Sequence, residues 1–233
     1  MKKTELIFII DSSGSMAHLA DDTIGGFNAM LQEHRSDKHD VSVTTITFDS
    51  NVHVIHKGVD IRDVSDLSRS TYHPGGLTSL LDAIGYAIDS TQTRFDNMPV
   101  ENRPTQVLCV ILTDGQENSS TRYNKAQIQS MIKHQDVGHG WKFMFLGADM
   151  DAVADAHSYG ITTAASYSAT DRGIDAVYTT LSSVSKGFVA DGVISSSWAD
   201  GLSITNAATT DATITNIDAL STKNMPVWDV NNI

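Results

Sequence analysis

Glu5-Leu6-Ile7-Phe8-Ile9-Ile10-Asp11-Ser12-Ser13-Gly14-Ser15 is the stretch on which the reading of the chain turns. Its apolar run, Leu6 to Ile10, is too short for a core helix and has the make-up of a strand buried on both faces, so it belongs inside a sheet covered on both sides. The run stops at Asp11, and Ser13 and Ser15 follow on a glycine-containing turn. In open α/β sheets ligands bind beyond the carboxyl ends of the strands, which is where these three side chains project. One carboxylate and two hydroxyls offer only oxygen, a donor set for a hard divalent cation. The same residues also make ordinary turns and helix caps, and this stretch alone leaves both readings open.

Two further stretches bear on the choice. Gly75-Gly76-Leu77-Thr78-Ser79-Leu80-Leu81-Asp82 is a glycine turn feeding a helix, with Thr78 at its start. Val107-Leu108-Cys109-Val110-Ile111-Leu112-Thr113-Asp114-Gly115 is a second buried strand ending in an aspartate. Two carboxylates at the ends of parallel strands, with a hydroxyl on a loop between them in sequence, can converge on one ion. In this order the stretches resemble the von Willebrand factor A domains, whose metal-ion-dependent adhesion site reads Asp-x-Ser-x-Ser on a first loop, Thr on a second and Asp on a third. Asp11, Ser13 and Ser15 match the first element, Thr78 the second and Asp114 the third. Asp-x-Ser-x-Ser by itself is a weak pattern; the arrival of all three parts in order is the specific signal.

The resemblance covers roughly residues 4–188 and points to the bacterial, cytosolic type of the family. It implies an intact site in which Ser13, Ser15 and Thr78 hold Mg²⁺ or Mn²⁺ directly or nearly so, with Asp11 and Asp114 acting directly or through water. It further implies a protein partner that presents an Asp or Glu to the ion, with ring-forming ATPases among the known associates of such domains.

Charge narrows the partners. A net charge of -12 disfavours a nucleic-acid backbone or an anionic membrane, both of which would repel the chain. The single Cys109 lies inside an apolar strand, which reads as a buried, inert thiol. Lys2 and Lys3 before an apolar run imitate a secretion signal, but the run ends at Asp11 with no small-residue cleavage site, so the expected address is the cytoplasm.

Along the chain, Ile24, Phe27, Met30 and Leu31 predict a helix over about 23–34, and Val41 to Phe48 a strand. Asp49-Ser50-Asn51 then turns the chain into an antiparallel edge strand carrying His53 and His56, read as solvent-facing. A helix begins near Thr78, with Ser79 and Asp82 spaced for a capping box. His73 and Glu117 are placed at the rim of the site. Helices over about 124–135, 149–159 and 174–188 alternate with strands at 141–146 and 165–167. This alternation predicts an α/β fold: a doubly wound, mostly parallel central sheet with one antiparallel edge strand and helices on both faces. Residues 1–188 form the expected domain. Residues 189–233, rich in Ser, Thr and Asp but holding Trp198, Trp228, Ile204, Ile214 and Ile217, form an extension expected to be partly ordered.

The function expected is divalent-metal-dependent protein binding without catalysis. A metal-dependent phosphatase-like hydrolase is the enzymatic alternative, but its Asp-x-Asp pattern would need a carboxylate at position 13, where Ser stands. A structural or assembly protein with a merely stabilising ion is the other.

Overall fold

Along β1 (Lys3–Asp11), Leu6, Phe8 and Ile10 enter one hydrophobic cluster while Ile7 and Ile9 enter another, because successive residues of a strand point to opposite faces. The computed structural model describes residues 2–36, 38–148 and 151–202. Five more strands flank or extend this one: β2 (Asp40–Phe48), β3 (Val52–Asp60), β4 (Gln106–Thr113), β5 (Lys142–Ala148) and β6 (Thr163–Tyr167). Their order across the sheet is β3-β2-β1-β4-β5-β6. Every pairing is parallel except β2 with β3 at one edge. The mostly parallel sheet with an antiparallel edge is therefore as the sequence predicts.

Helices α1 (Ala20–Arg35) and α5 (Asp171–Asp191) cover the Leu6–Phe8–Ile10 face, where Phe27 meets Phe8 edge-on at 5.4 Å between ring centroids. Helices α2 (Leu80–Asp96), α3 (Lys125–His139) and α4 (Ala152–Tyr159) cover the opposite face. No helix among the described residues is long and apolar enough to cross a membrane. The chain steps from β1 outward to β2 on one side, then returns to place β4 on the other. The strand order thus reverses between β1 and β4, and a crevice opens there at the carboxyl ends.

Three local expectations are corrected. The first helix starts at Ala20, earlier than expected, because a 3₁₀ turn over Gly14–Leu19 buries Met16 and Leu19 and leads directly into it. The capping box at α2 does not form. Ser79 Oγ donates instead to the carbonyl of Asp49 at 2.7 Å, and Asp82 accepts the backbone N–H groups of Thr121, Arg122 and Tyr123, each at 2.9 Å. His56 is buried, not solvent-facing, with Nε2 3.0 Å from Ser65 Oγ, and burial lowers its pKa. The segment after β3, whose Ile61, Val64 and Leu67 join the core, folds back over that edge.

α5 continues to Asp191, and Ala199 and Leu202 are buried in its cluster, with Ile194 and Trp198 packed alongside. The remainder of the expected extension, with Ile204, Ile214, Ile217 and Trp228, lies outside the described residues.

At the opposite end of the sheet from the crevice, Glu5 is fully buried. Its carboxylate accepts from Thr44 Oγ1 and Arg94 Nη2, each at 2.6 Å, and from Ser42 Oγ. Gly58 makes room for this group. Its φ of +61° is left-handed, and a Cβ there would stand 2.5 Å from the Arg94 guanidinium. Removing one partner of a buried ion pair costs about 3–5 kcal/mol because the other charge is stranded. Arg94→Leu is therefore expected to lose about that much in urea unfolding, and adding Glu5→Gln should return most of it. Equal losses in the single and double variants would show that the ion pair is not what the site depends on.

Candidate metal centre

Both carboxylates of the candidate site stand where adjacent parallel strands end. Ile10 pairs with Leu112, so Asp11 closes β1 beside Thr113, and Asp114 follows one residue later. Asp11 is 0% exposed. Its Oδ1 accepts the Ser13 N–H at 2.7 Å and its Oδ2 the Thr113 hydroxyl at 2.5 Å, which fixes the carboxylate between the first loop and the end of β4. Burial pushes its pKa up to about 6; the Thr113 and Ser13 hydrogen bonds oppose the rise only in part, and the charge of Asp114 adds to it.

The first loop continues through Ser13 and Ser15, whose hydroxyl oxygens are 3.1 Å apart, and Ser15 Oγ donates to Asp114 Oδ1 at 2.6 Å. Backbone bonds tie the second loop to the first: Gly75 N–H to Ser12 O at 2.9 Å and Gly14 N–H to Gly76 O at 3.2 Å. Gly76 sits at φ +68° with its Cα against Ser50, a position that a side chain would strain. Asn118 locks Thr78 by a reciprocal pair, accepting its N–H at 2.9 Å and donating its own to the Thr78 carbonyl at 3.1 Å. A Cβ placed on Gly115 would lie 3.4 Å from Thr78 Oγ1 and 3.9 Å from Ser15 Oγ. The hydroxyls of Thr78 and Ser15 therefore border one space. Asp11, Ser13, Ser15, Thr78 and Asp114 are all brought to this end of β1 and β4.

A divalent ion fits the donors. Adjacent ligands of an octahedral ion at about 2.1 Å stand about 3 Å apart, close to the spacing of the two serine hydroxyls. Among the described residues no group of three or more His, Cys, Asp or Glu side chains is assembled to hold an ion. Any ion here would lean on hydroxyls as much as on carboxylates. A buried carboxylate whose pKa is raised by desolvation is also a group that a cation stabilises.

Glu117 is spent elsewhere. Its carboxylate accepts from Leu81 N–H at 2.9 Å, Ser119 N–H at 3.0 Å, and Ser120 N–H and Oγ at 2.7 Å each, so it caps α2 and stiffens its own loop. His73 is exposed. Sequence reasoning missed four supports. Thr113 orients Asp11, Asn118 fixes Thr78, and the fully buried Tyr72 donates its hydroxyl to the Asp11 carbonyl at 2.6 Å. His18 spans Ser15 O at 2.8 Å and Ala169 O at 3.2 Å. Only the protonated ring donates to both carbonyls, and its pKa is raised accordingly. The one available signal was a hydroxyl, Thr113, directly before Asp114.

A sequence model of the von Willebrand factor type A domain matches residues 5–138. No curated protein of known function matches the sequence. Among solved structures, the chain is similar to manganese-loaded TRAP protein of Plasmodium vivax, at 17% identity and TM-score 0.55, over 81% of this chain and 74% of that one. It is also similar to proximal thread matrix protein 1 of the mussel byssus with a zinc-occupied MIDAS motif, at 13% identity and TM-score 0.55, over 79% and 46%. A third is the PilB minor pilin of Streptococcus sanguinis, at 14% identity and TM-score 0.53, over 82% and 62%. The chain thus spans less than two thirds of the pilin and under half of the mussel protein, and at these identities the likeness concerns the fold.

The raised pKa of Asp11 has a sign that can be measured. A carboxyl whose folded pKa lies above its unfolded value favours the folded state below the unfolded pKa, and that contribution is lost as pH rises through the folded one. Chelator-treated protein should therefore gain up to about 3 kcal/mol of stability between pH 7 and pH 4 from this group, a gain that Asp11→Asn abolishes. An unchanged pH slope in the variant would mean that Asp11 is not the group responsible.

Proposed function

This chain belongs to the von Willebrand factor type A domain family, and we propose that it is a divalent-metal-dependent protein-binding module. In this reading Asp11, Ser13, Ser15, Thr78 and Asp114 form its metal-ion-dependent adhesion site, and Mg²⁺ or Mn²⁺ is the ion. The observation that carries the proposal is the gathering of these oxygen donors at the strand-order reversal, with Asp11 bonded to Thr113, Ser15 to Asp114 and Thr78 to Asn118 across elements, and Ser13 bonded to Asp11 and Ser15 within its own loop.

The bound ion would supply positive charge to which an acidic side chain of a partner can bind. The chain's own groups do the rest. Asp11 and Asp114 provide the charge that retains the ion, and three hydroxyls add neutral donors. The ties among the first loop, the second loop and Asn118 keep the spacing fixed before a partner arrives, which lowers the ordering cost of binding. The metals named in two of the similar structures, manganese and zinc, support a divalent ion at this place.

Binding is favoured over catalysis by the residues available. Ser13 stands where a phosphatase of the Asp-x-Asp type needs its second carboxylate, and Glu117 and Asp82 are consumed by backbone N–H groups. A partner containing a ring-forming ATPase and a cytoplasmic setting complete the proposal.

Titration of Mn²⁺ or Mg²⁺ into chelator-treated protein should give saturable binding near one ion per chain. At a hundredfold excess over Kd it should raise stability by about 2.7 kcal/mol. Asp11→Ala and Thr78→Ala should remove both effects while keeping the far-ultraviolet circular dichroism of the folded chain. Ion binding that survives both substitutions would refute this site.

A further inference from the structure

Two buried polar atoms without a hydrogen-bond partner stand on a single cross-strand pair at the β3 edge. Thr45 of β2 is 0% exposed and His56 of β3 is 5% exposed, and the two lie opposite each other in the register. Opposed residues of an antiparallel pair share a face, with Cβ atoms about 4.5–5.5 Å apart. Yet Thr45 Oγ1 and His56 Nδ1 are both unpartnered, a state that costs free energy wherever water is excluded. Register shifts on either side of Thr45 accompany the inward turn of His56.

Residues 61–72 form a strap over this pair. His56 Nε2 lies 3.0 Å from Ser65 Oγ, and Ile61, Val64, Leu67 and Tyr72 enter the core on that side. Two side chains of α1 tie the strap down. Arg35 Nη2 donates to the Val64 carbonyl at 2.6 Å, while Asn28 accepts the Leu67 N–H at 2.8 Å and donates to the Leu67 carbonyl at 2.9 Å. Ser65, between these ties, rests on the imidazole. At its far end the strap carries Tyr72, which holds the Asp11 carbonyl.

A neutral ring suits this place and an imidazolium does not. Protonation would put a donor on the bare nitrogen and a full charge in a site where burial already lowers the pKa of His56, against the Ser65 bond that raises it. The charged groups on the surrounding elements are Asp40 of β2, Lys57 and Asp60 of β3, Arg62, Asp63 and Asp66 of the strap, and Arg35 of α1. Asp60 is bound to Arg62 and Asp66 to Arg35. None of these charges is among the causes of the shift at His56.

We propose that residues 61–72 are a proton-released latch: protonation of His56 drives its ring from beneath Ser65 and opens the strap, loosening the hold of Tyr72 on the end of β1. The latch stands apart from the candidate metal centre and does not depend on ion binding. Linkage sets its direction. A histidine whose folded pKa is lowered favours the closed strap above its unfolded pKa of about 6.5, and that contribution is lost as pH falls through the folded value. Across that interval opening rises about tenfold per pH unit. Asp11 acts in the opposite sense, since its raised pKa favours folding as pH falls.

The test follows amide hydrogen exchange in the full chain, as protection factors between about pH 7.5 and pH 5. Val64 and Leu67, whose N–H groups are bonded to the Asp60 carbonyl and Asn28, report on the strap, and Phe8 of β1 reports on the whole fold. Val64 and Leu67 should be less protected than Phe8 and should lose about tenfold per pH unit once below about 6.5. His56→Gln, which keeps a donor toward Ser65, should flatten that dependence. A flat profile in the unsubstituted chain, the same slope in His56→Gln, or protection equal to that of Phe8 throughout would overturn the latch. Should the variant fail to fold, the His56 ring resonances of the unsubstituted chain decide: a midpoint below about 6.5 is expected, and one at or above it overturns the proposal.

Discussion

The carboxylate of Asp11 has to be buried and still held in one orientation, and the carboxyl edge of the sheet is arranged around that constraint. Two hydrogen bonds, from the Ser13 N–H and the Thr113 hydroxyl, aim the side chain but do not make up for the water it has lost. The backbone behind it is secured from the core. Tyr72 donates to the Asp11 carbonyl, and Tyr167 reaches the Thr113 carbonyl at 3.4 Å. Both tyrosines belong to the cluster shared with α1 and α5, so the ends of β1 and β4 are fastened to the same packed layer. Loosening that layer would move the two strand ends together.

The acidic groups near the crevice divide by what they accept from. Asp82 takes three N–H groups of the loop after β4, and Glu117 takes two from that loop and one from the first turn of α2. Each satisfies backbone donors that a helix start or a tight loop would otherwise leave bare. Asp11 takes a single backbone N–H, that of Ser13, beside the Thr113 hydroxyl, and Asp114 accepts the Ser15 hydroxyl. Asp82 and Glu117 each spend their carboxylate on three backbone N–H groups, and that sets them apart from Asp11.

The fold, and the convergence of the five candidate residues on one end of the sheet, were legible because both are written in local patterns. Apolar runs of strand length ending in Asp marked β1 and β4, and helical spacing of Phe27, Met30 and Leu31 marked α1. Less legible was anything decided by distant chain segments. Ser79 and Asp82 have capping-box spacing, yet Asp49 and the backbone of Thr121 to Tyr123 outcompete it from some 30 to 40 residues away. His56 alternates as an exposed edge residue should, but register shifts between β2 and β3 and the returning segment at Ser65 bury it. Tyr72 carries no periodic signal at all, since its role rests on one hydroxyl meeting one carbonyl.

On the proposed reading, the hydroxyls matter as much as the carboxylates. A third carboxylate at position 13 would hold a divalent ion more tightly, but where Asp11 and Asp114 just balance the ion's charge it would turn the occupied site negative and add to a net charge of -12. Neutral Ser13, Ser15 and Thr78 supply oxygen without supplying charge. The ion is then neutralised only by Asp11 and Asp114, and a partner carboxylate adds to its shell what the domain itself withholds. Each ligand therefore strengthens the hold on the other, and by linkage the factor by which the ion tightens the partner equals the factor by which the partner tightens the ion. A strongly acidic protein can in this way recognise an acidic group, because the repulsion of its own carboxylates is offset only where the ion sits and only while it is bound.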